Sequence, residues 1–356
     1  MKKPLISLAL LSLALFPVPA QALGKLTDLF VFSDSLLDSG NAGLFSGGAF
    51  PPSPPYASGD GGDNLNRASN GPVAVDYLWK LFNPGDASFL PSRAGGTNYS
   101  IFGSTTGLVN NSTVFSPPTQ SQPLGNSWQL QTYASQNPSF QPDSSLFVVW
   151  LFSNDVFAWI NPSNPLHLQT PGTFAGGMPQ PAPTSQILIE NGIANIRGSI
   201  EELAVDGARH FLIPNIPNLG DTPFFSGLPI QASLLNGISR QFNADLEIAL
   251  NDLQADYPDI EIIPFQTDDL FEEMITDPKA FGLENANTAC LMDPTCNPDE
   301  WLFWDGNHPT TAGHQVLGRA FFNAVHTPVP GPLPLLGLAT AFGWCRRLRK
   351  KVASNK

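Results

Sequence analysis

Positive charge is what this chain has least of. Its 356 residues carry 17 Lys and Arg against 30 Asp and Glu, with only five His. Eight of the basic residues sit at the two ends: Lys2 and Lys3 at the start, and Arg346, Arg347, Arg349, Lys350, Lys351 and Lys356 at the finish. The stretch between keeps nine bases and all thirty acids, a net charge near −21. Such a surface repels phosphate backbones and anionic lipid alike, which excludes nucleic acid as a partner. Cysteine is nearly absent too. Cys345 lies in the basic tail, leaving Cys290 and Cys296 in ACLMDPTC. Two thiols without a neighbouring Cys/His pair do not make a zinc site. In an exported chain they are expected to form a local disulfide. There is no phosphate loop, no dinucleotide fingerprint, no metal-protease helix and no internal repeat. SGDGGDN, with Asp60 and Asp63, lacks the full pattern of a calcium loop. No cofactor and no metal is therefore expected.

Long apolar runs are also missing. The first residues, MKKPLISLALLSLALFPVPAQA, have a charged start, a short apolar middle (Leu5–Phe16) and the small-residue site Ala20-Gln21-Ala22. That order is a secretory signal over residues 1–22, with the mature chain beginning near Leu23. The apolar part of the tail, Leu333–Cys345, is shorter than the roughly 20 residues that span a bilayer. A Pro-rich turn precedes it and the basic cluster follows it. This order resembles the PEP-CTERM sorting tail of bacteria, here with VPGP in place of VPEP. The resemblance implies processing of residues 328–356 by an exosortase. Residues 23–327 then form the functional domain, in the periplasm, on the cell surface or outside the cell.

Five short apolar runs punctuate that domain: DLFVF (28–32), NYSIF (98–102), SLFVVWL (145–151), RHFLI (209–213) and IEIIP (260–264). Continuous apolar runs suit strands buried on both faces, as in a parallel sheet. Helical spacing appears at Pro72–Phe82, Ile187–Val205, Ala232–Leu253 and Thr311–Val325. This alternation predicts an α/β doubly wound sheet whose ligands bind at the carboxyl ends of the strands. Two long turn-rich loops, Gly43–Asn64 and Trp159–Ser185, are expected to wall or cover a cleft. Their aromatic residues, with Phe45, Phe50, Tyr56, Phe157 and Trp159, suit apolar groups.

Chemistry concentrates in two places. FSDSLLDSGN (32–41) puts serines and aspartates directly after the first strand. FWDGNHPTTAGH offers Asp305 and His308 from one loop ahead of the last helix. A serine hydroxyl needs a base to take its proton, and an aspartate can orient that base. Asp34 is expected to brace its turn, Asp38 and Asn41 to hold the following loop, and Asp155 to cap its own turn. His314 is read as surface or packing, and His167, His210 and His326 have no partner in any motif.

FSDSLLDSGN, NYSIFGSTTG, WLFSNDVF and DGNHP follow one another in a fixed order. Together with NRASNGPVAVDYL and GARHFLIPNIPNLGDTP, they resemble the SGNH, or GDSL-type, hydrolases of the lipase/esterase branch. The resemblance implies a flavodoxin-like three-layer α/β/α fold with five parallel strands. It implies Ser35 as nucleophile, His308 as base and Asp305 as its orienter. It also implies an oxyanion hole from the N–H groups of Ser35 and Gly103 and the side-chain amide of Asn154. The substrate would be an ester, of a lipid or of an acylated carbohydrate; the same fold also serves polysaccharide deacetylation or plain binding. Three glycines of the family pattern are replaced here, by Ser33, Phe102 and Phe152. Where the pattern needs positive φ, a side chain costs about 1 kcal/mol or more. Phe102 and Phe152 are also expected to narrow the acyl pocket or shift Asn154.

Overall fold

The computed structural model describes residues 23–58, 64–112 and 122–326. The N-terminal signal, the C-terminal tail with Cys345, and the Asp60/Asp63 pair lie outside them. No helix among the described residues is long and apolar enough to cross a membrane.

Among the described residues, six strands and nine α-helices follow one another. The strands are β1 (Asp28–Ser33), β2 (Ser145–Trp150), β3 (His210–Pro214), β4 (Glu261–Phe265), β5 (Asn285–Ala289) and β6 (Trp301–Phe303). The helices are α1 (Asn41–Phe45), α2 (Ala74–Phe82), α3 (Asn126–Gln136), α4 (Ser153–Ile160) and α5 (Ser185–Val205). They continue as α6 (Pro223–Ser226), α7 (Pro229–Asp256), α8 (Thr267–Thr276) and α9 (Thr311–His326). β1 to β4 form one parallel sheet in that order, with Val31 beside Val148 and Val148 beside Leu212. Alternate strand residues face opposite cores. Phe30, Phe32, Phe147, Val149 and Phe211 pack with α3, α4, α5 and α7. Leu29, Val31, Leu146, Val148 and Leu212 pack with α2, α8 and α9. A sheet wetted on neither face must be apolar in both registers, which accounts for the unbroken runs.

The run at 98–102 is not a full strand. Residues 97–101 lie extended along β1, with Tyr99 N–H donating to Val31 (2.8 Å) and Ile101 N–H to Ser33 (3.3 Å). With β1, only Val31 and Asn98 make a bridge. Side chains satisfy the rest of this backbone: Asn41 Nδ2 donates to the carbonyls of Asn98 and Ser100, and Asn98 Oδ1 accepts from Ser100 N–H. Polar side chains thus take the place of ladder bonds, and the sheet has four strands and an irregular fifth edge.

β5 and β6 pair in a small parallel sheet of their own. Cys290 and Cys296 are joined in a disulfide in the connection between them. β6 delivers the chain to the Asp305–His308 turn, which closes through Trp304 N–H to the His308 carbonyl (2.8 Å). Thr310 then caps α9, its Oγ1 accepting from Gly313 N–H (3.1 Å).

Candidate active site

Ser35 leaves the end of β1 and is nearly buried, at 6% exposure. Its Oγ lies 2.8 Å from His308 Nε2. His308 Nδ1 lies 2.7 Å from Asp305 Oδ2. The loop holds Asp305 tightly, because Oδ1 also accepts the N–H groups of Asn307 (2.9 Å) and His308 (2.8 Å). Tyr56 donates its hydroxyl to Oδ2 at 2.7 Å. Burial by itself would raise the Asp305 carboxyl. The charge and hydrogen bond of His308, the Asn307 N–H and Tyr56 outweigh it and hold the group well below the usual carboxylate range. Burial likewise acts to lower His308, but Asp305 overcomes it by charge and hydrogen bond, helped by the charge of Asp34, and the imidazole sits above its ordinary 6.5.

Across the cleft stands Asn154, on the first turn of α4. Its Oδ1 accepts from Asn111 Nδ2 (3.1 Å), which turns its Nδ2 toward Ser35's side of the site. One Nδ2 hydrogen goes to Asp34 Oδ2 (3.0 Å), leaving the other free for a ligand. Asn111 also donates its backbone N–H to the Gly103 carbonyl (2.8 Å), so one residue ties Gly103 to Asn154. Asn164 in turn holds Asn111, its Nδ2 reaching Oδ1 at 2.8 Å. Gly103 has φ +77°, and a Cβ there would collide with Asn110 Oδ1 and Ser112. Glycine is required at this point for conformation and for space.

Carboxylates brace these parts. Asp34 accepts Leu36 N–H as well as Asn154, and burial pushes it up to about 6. Asp38 accepts the N–H groups of Gly40 (2.8 Å), Asn41 (2.6 Å), Ala42 (3.1 Å) and Phe102 (3.0 Å), tying the serine loop to the Gly103 segment. Asp155 does more than hold its own backbone N–H. It reaches across to Thr106, accepting its N–H (2.9 Å) and hydroxyl (2.5 Å), and burial raises it to about 7. The other histidines stand aside from the Ser35–Asp305–His308 line. His314 is packing, at 1% exposure, and His210 pairs with Glu261 of the neighbouring strand at 2.8 Å. His167 and His326 bond backbone carbonyls, of Trp159 and Leu23.

The three replaced glycines turn out differently. Ser33 keeps ordinary backbone angles and donates its hydroxyl to the Trp150 carbonyl (2.7 Å). Phe102 keeps a negative φ too; it lines the cleft, packs on Phe50 and faces the His308 ring at 5.5 Å. Phe152 is forced to φ +120°. Its ring does not narrow the cleft but points into the core, stacked on Phe242 at 3.8 Å, in space that exists because residue 192 is glycine. Strain at such a φ is about 1–3 kcal/mol. Emptying a site of that size costs about 3–5 kcal/mol. Phe152→Gly is therefore expected to destabilise the fold by about 2 kcal/mol net, despite relieving the backbone. A denaturant midpoint equal to or above the parent's would refute that balance.

Beside Ser35 opens a cavity of about 450 Å³. Ser35, Asn154 and His308 mark its polar end, and Phe157, Ile160, Leu219, Phe224 and Phe225 its apolar wall. That volume and lining are those of a small-molecule site. Of the loop aromatics expected here, only Phe157 lines it. Among its described residues the 43–64 loop contributes no wall; it supplies Tyr56 to Asp305 and Phe50 to Phe102. The second loop supplies Asn161 to the wall and Asn164 to Asn111. Asn111 and Asn164 were not legible as site residues, and Tyr56, expected among the apolar cleft aromatics, was not legible as the partner of Asp305. The NNS turn at 110–112 was the one local hint, and it looks like any surface turn.

The chain is similar to known proteins over most of its length. Residues 29–321 match the family described as GDSL-like Lipase/Acylhydrolase. A GDSL esterase/lipase of Arabidopsis thaliana is 25% identical over 360 residues, covering 94% of this chain and 97% of that protein. A phosphatidylcholine-sterol acyltransferase of Aeromonas hydrophila is 27% identical over 262 residues, covering 74% of this chain and 64% of that protein. Among solved structures, an acetylxylan esterase from Geobacillus stearothermophilus superposes with a TM-score of 0.41 and 15% identity, over 86% of this chain and 97% of that one.

Proposed function

Because the chain belongs to the GDSL-like lipase/acylhydrolase family, we propose that it is a serine ester hydrolase working through an acyl-enzyme. The observation that carries this is the line Ser35 Oγ–His308 Nε2–Asp305, at 2.8 and 2.7 Å. His308 takes the hydroxyl proton as Ser35 Oγ attacks the ester carbonyl. Asp305, ionised throughout, keeps the proton on Nδ1 and stabilises the imidazolium that forms. The carbonyl oxygen, becoming negative, meets the free Asn154 N–H and the backbone N–H groups of Ser35 and Gly103. Neither of those backbone groups has a protein acceptor among the described residues. His308 then protonates the leaving alcohol, and water attacking with the same base frees the acid.

The apolar cavity wall supports an aliphatic acyl group larger than acetyl, and so an ester or lipid in preference to an acetylated polysaccharide. We further propose that the protein is exported, the first 22 residues acting as signal and the last 29 as a sorting tail for an exosortase. The A-x-A site and the Cys290–Cys296 pairing support export.

A fluorophosphonate probe tests the reading directly. It phosphonylates a hydroxyl only where a base and an oxyanion hole act together. One equivalent bound, mapped by mass spectrometry to Ser35 and lost in His308→Ala, is the expected result. No labelling, or labelling at another serine, would sink the assignment.

A further inference from the structure

The wall of the cavity continues onto the surface. Phe224 lines the cavity and is also 60% exposed. Its N–H donates to the Gly306 carbonyl (2.9 Å), which fixes it two residues from His308, and its ring packs edge-on against Phe225 at 4.8 Å. From there the chain runs through α6 into α7 with Leu228 42%, Ile230 81% and Leu234 49% exposed. Ile230 and Leu234, four residues apart, share one stripe of α7. The side of the helix turned to the core is already occupied, with Leu235 and Phe242 fully buried. The first turns of α7 are thus apolar on the inner and the outer face, which packing within this chain does not require.

Charge gives the second observation. Residues 222–239, TPFFSGLPIQASLLNGIS, contain no Asp, Glu, Lys, Arg or His. They lie in a domain with thirty acids and nine bases. An uncharged, apolar segment at the rim of an apolar cavity, in an otherwise acidic surface, marks a place where something apolar is met. A polysaccharide would need hydrogen-bonding side chains here, and the segment's exposed ones are Ser226, Gln231 and Ser233. An anionic lipid surface would be repelled by the rest of the domain. What suits both the segment and the field around it is a neutral, water-insoluble ester.

We propose that the α6–α7 face, with Phe224, Leu228, Ile230 and Leu234, docks the enzyme on the surface of aggregated neutral ester lipid and feeds its acyl chains into the cavity. This rests on the ester-hydrolase reading for the turnover and not for the docking. The face binds by removing apolar side chains from water, and Phe224 makes the passage from surface to Ser35 continuous.

The test separates binding from chemistry. Ser35→Ala protein is floated with trioctanoin droplets, so that no turnover confuses the readout. It is expected to rise with the droplets, and Ile230→Glu/Leu234→Glu in the same background to lose at least tenfold in droplet binding. With Ser35 present, the double variant should hydrolyse trioctanoin at least tenfold more slowly and soluble p-nitrophenyl acetate at the parent rate. That unchanged rate certifies the fold; should it fall, the milder Ile230→Ser repeats the comparison. Parent protein that stays with the aqueous phase, or a variant that floats equally well, overturns the proposal. So does a parent dimer in sedimentation that the substitutions split, since a second copy would then cover the face. Absence of soluble-ester hydrolysis by the parent would strike the hydrolase reading instead, and the flotation result would stand by itself.

Discussion

Ser35→Ala is expected to lower kcat on p-nitrophenyl esters by roughly 10⁶-fold. The magnitude follows from what is lost. No other hydroxyl replaces Oγ at 2.8 Å from His308 Nε2. The oxyanion donors remain and assist only the slow direct attack of water. The pH profile of the parent belongs to the same prediction. His308 must be neutral to take the Ser35 proton, and Asp305 holds its protonated form above the ordinary 6.5. Activity should therefore fall as pH drops through a midpoint above 6.5, because protonation removes the base while Asp305 stays ionised. An acyl-chain series from acetyl to palmitoyl, run at a pH above that limb, reads the cavity as well. The apolar wall from Phe157 to Phe225 predicts a preference for chains longer than acetyl. Residual activity in Ser35→Ala near that of the parent would move the nucleophile elsewhere.

The second large effect is at Asn154. Asn154→Ala should reduce kcat by roughly 10²–10³-fold, as loss of one oxyanion donor does in comparable sites. KM should change little, because the contact is made to an oxygen that becomes charged only in the transition state. The substitution also removes the donor at 3.0 Å from Asp34 Oδ2. With one hydrogen bond fewer to its charged form, the buried Asp34 carboxyl rises further, while Leu36 N–H still holds its other oxygen. The fluorophosphonate should still find Ser35 in this variant, more slowly. A drop in kcat under threefold would show that Asn154 does not face the oxyanion, and the free N–H would need another purpose.

Much of this was written in local sequence. The runs at 28–32, 145–151, 209–213 and 260–264 are β1 to β4 within a residue or two, because a strand buried on both faces cannot spare a polar position. The spacing at Ile187–Val205 and Thr311–Val325 falls on α5 and α9 for the corresponding helical reason. Less was legible where the pattern is polar or interrupted. α3, with NSWQLQTYASQ, has no clear apolar stripe, and α4 starts three residues after a strand and merges with its apolar run. β5 and β6 are too short and too mixed to stand out, yet β6 aims the Asp305–His308 turn.

At the site, sequence alone pointed to the groups proposed to react. Ser35 at a strand end, and Asp305 three residues before His308, are local arrangements. Neighbouring residues make them, through turn chemistry that any reader of the chain can follow. What the tertiary structure decided is everything that holds those groups to their task. Tyr56 lies 249 positions from Asp305, and Asn111 lies 43 from Asn154, so no periodicity relates them. Phe152 looked like a plug for the pocket, and the stacking on Phe242 above Gly192 sends it into the core instead. Sequence specifies contacts between near neighbours because the backbone itself limits where they can go. Contacts between distant segments are settled only when the two cores close on the sheet, and packing then selects which side chains meet.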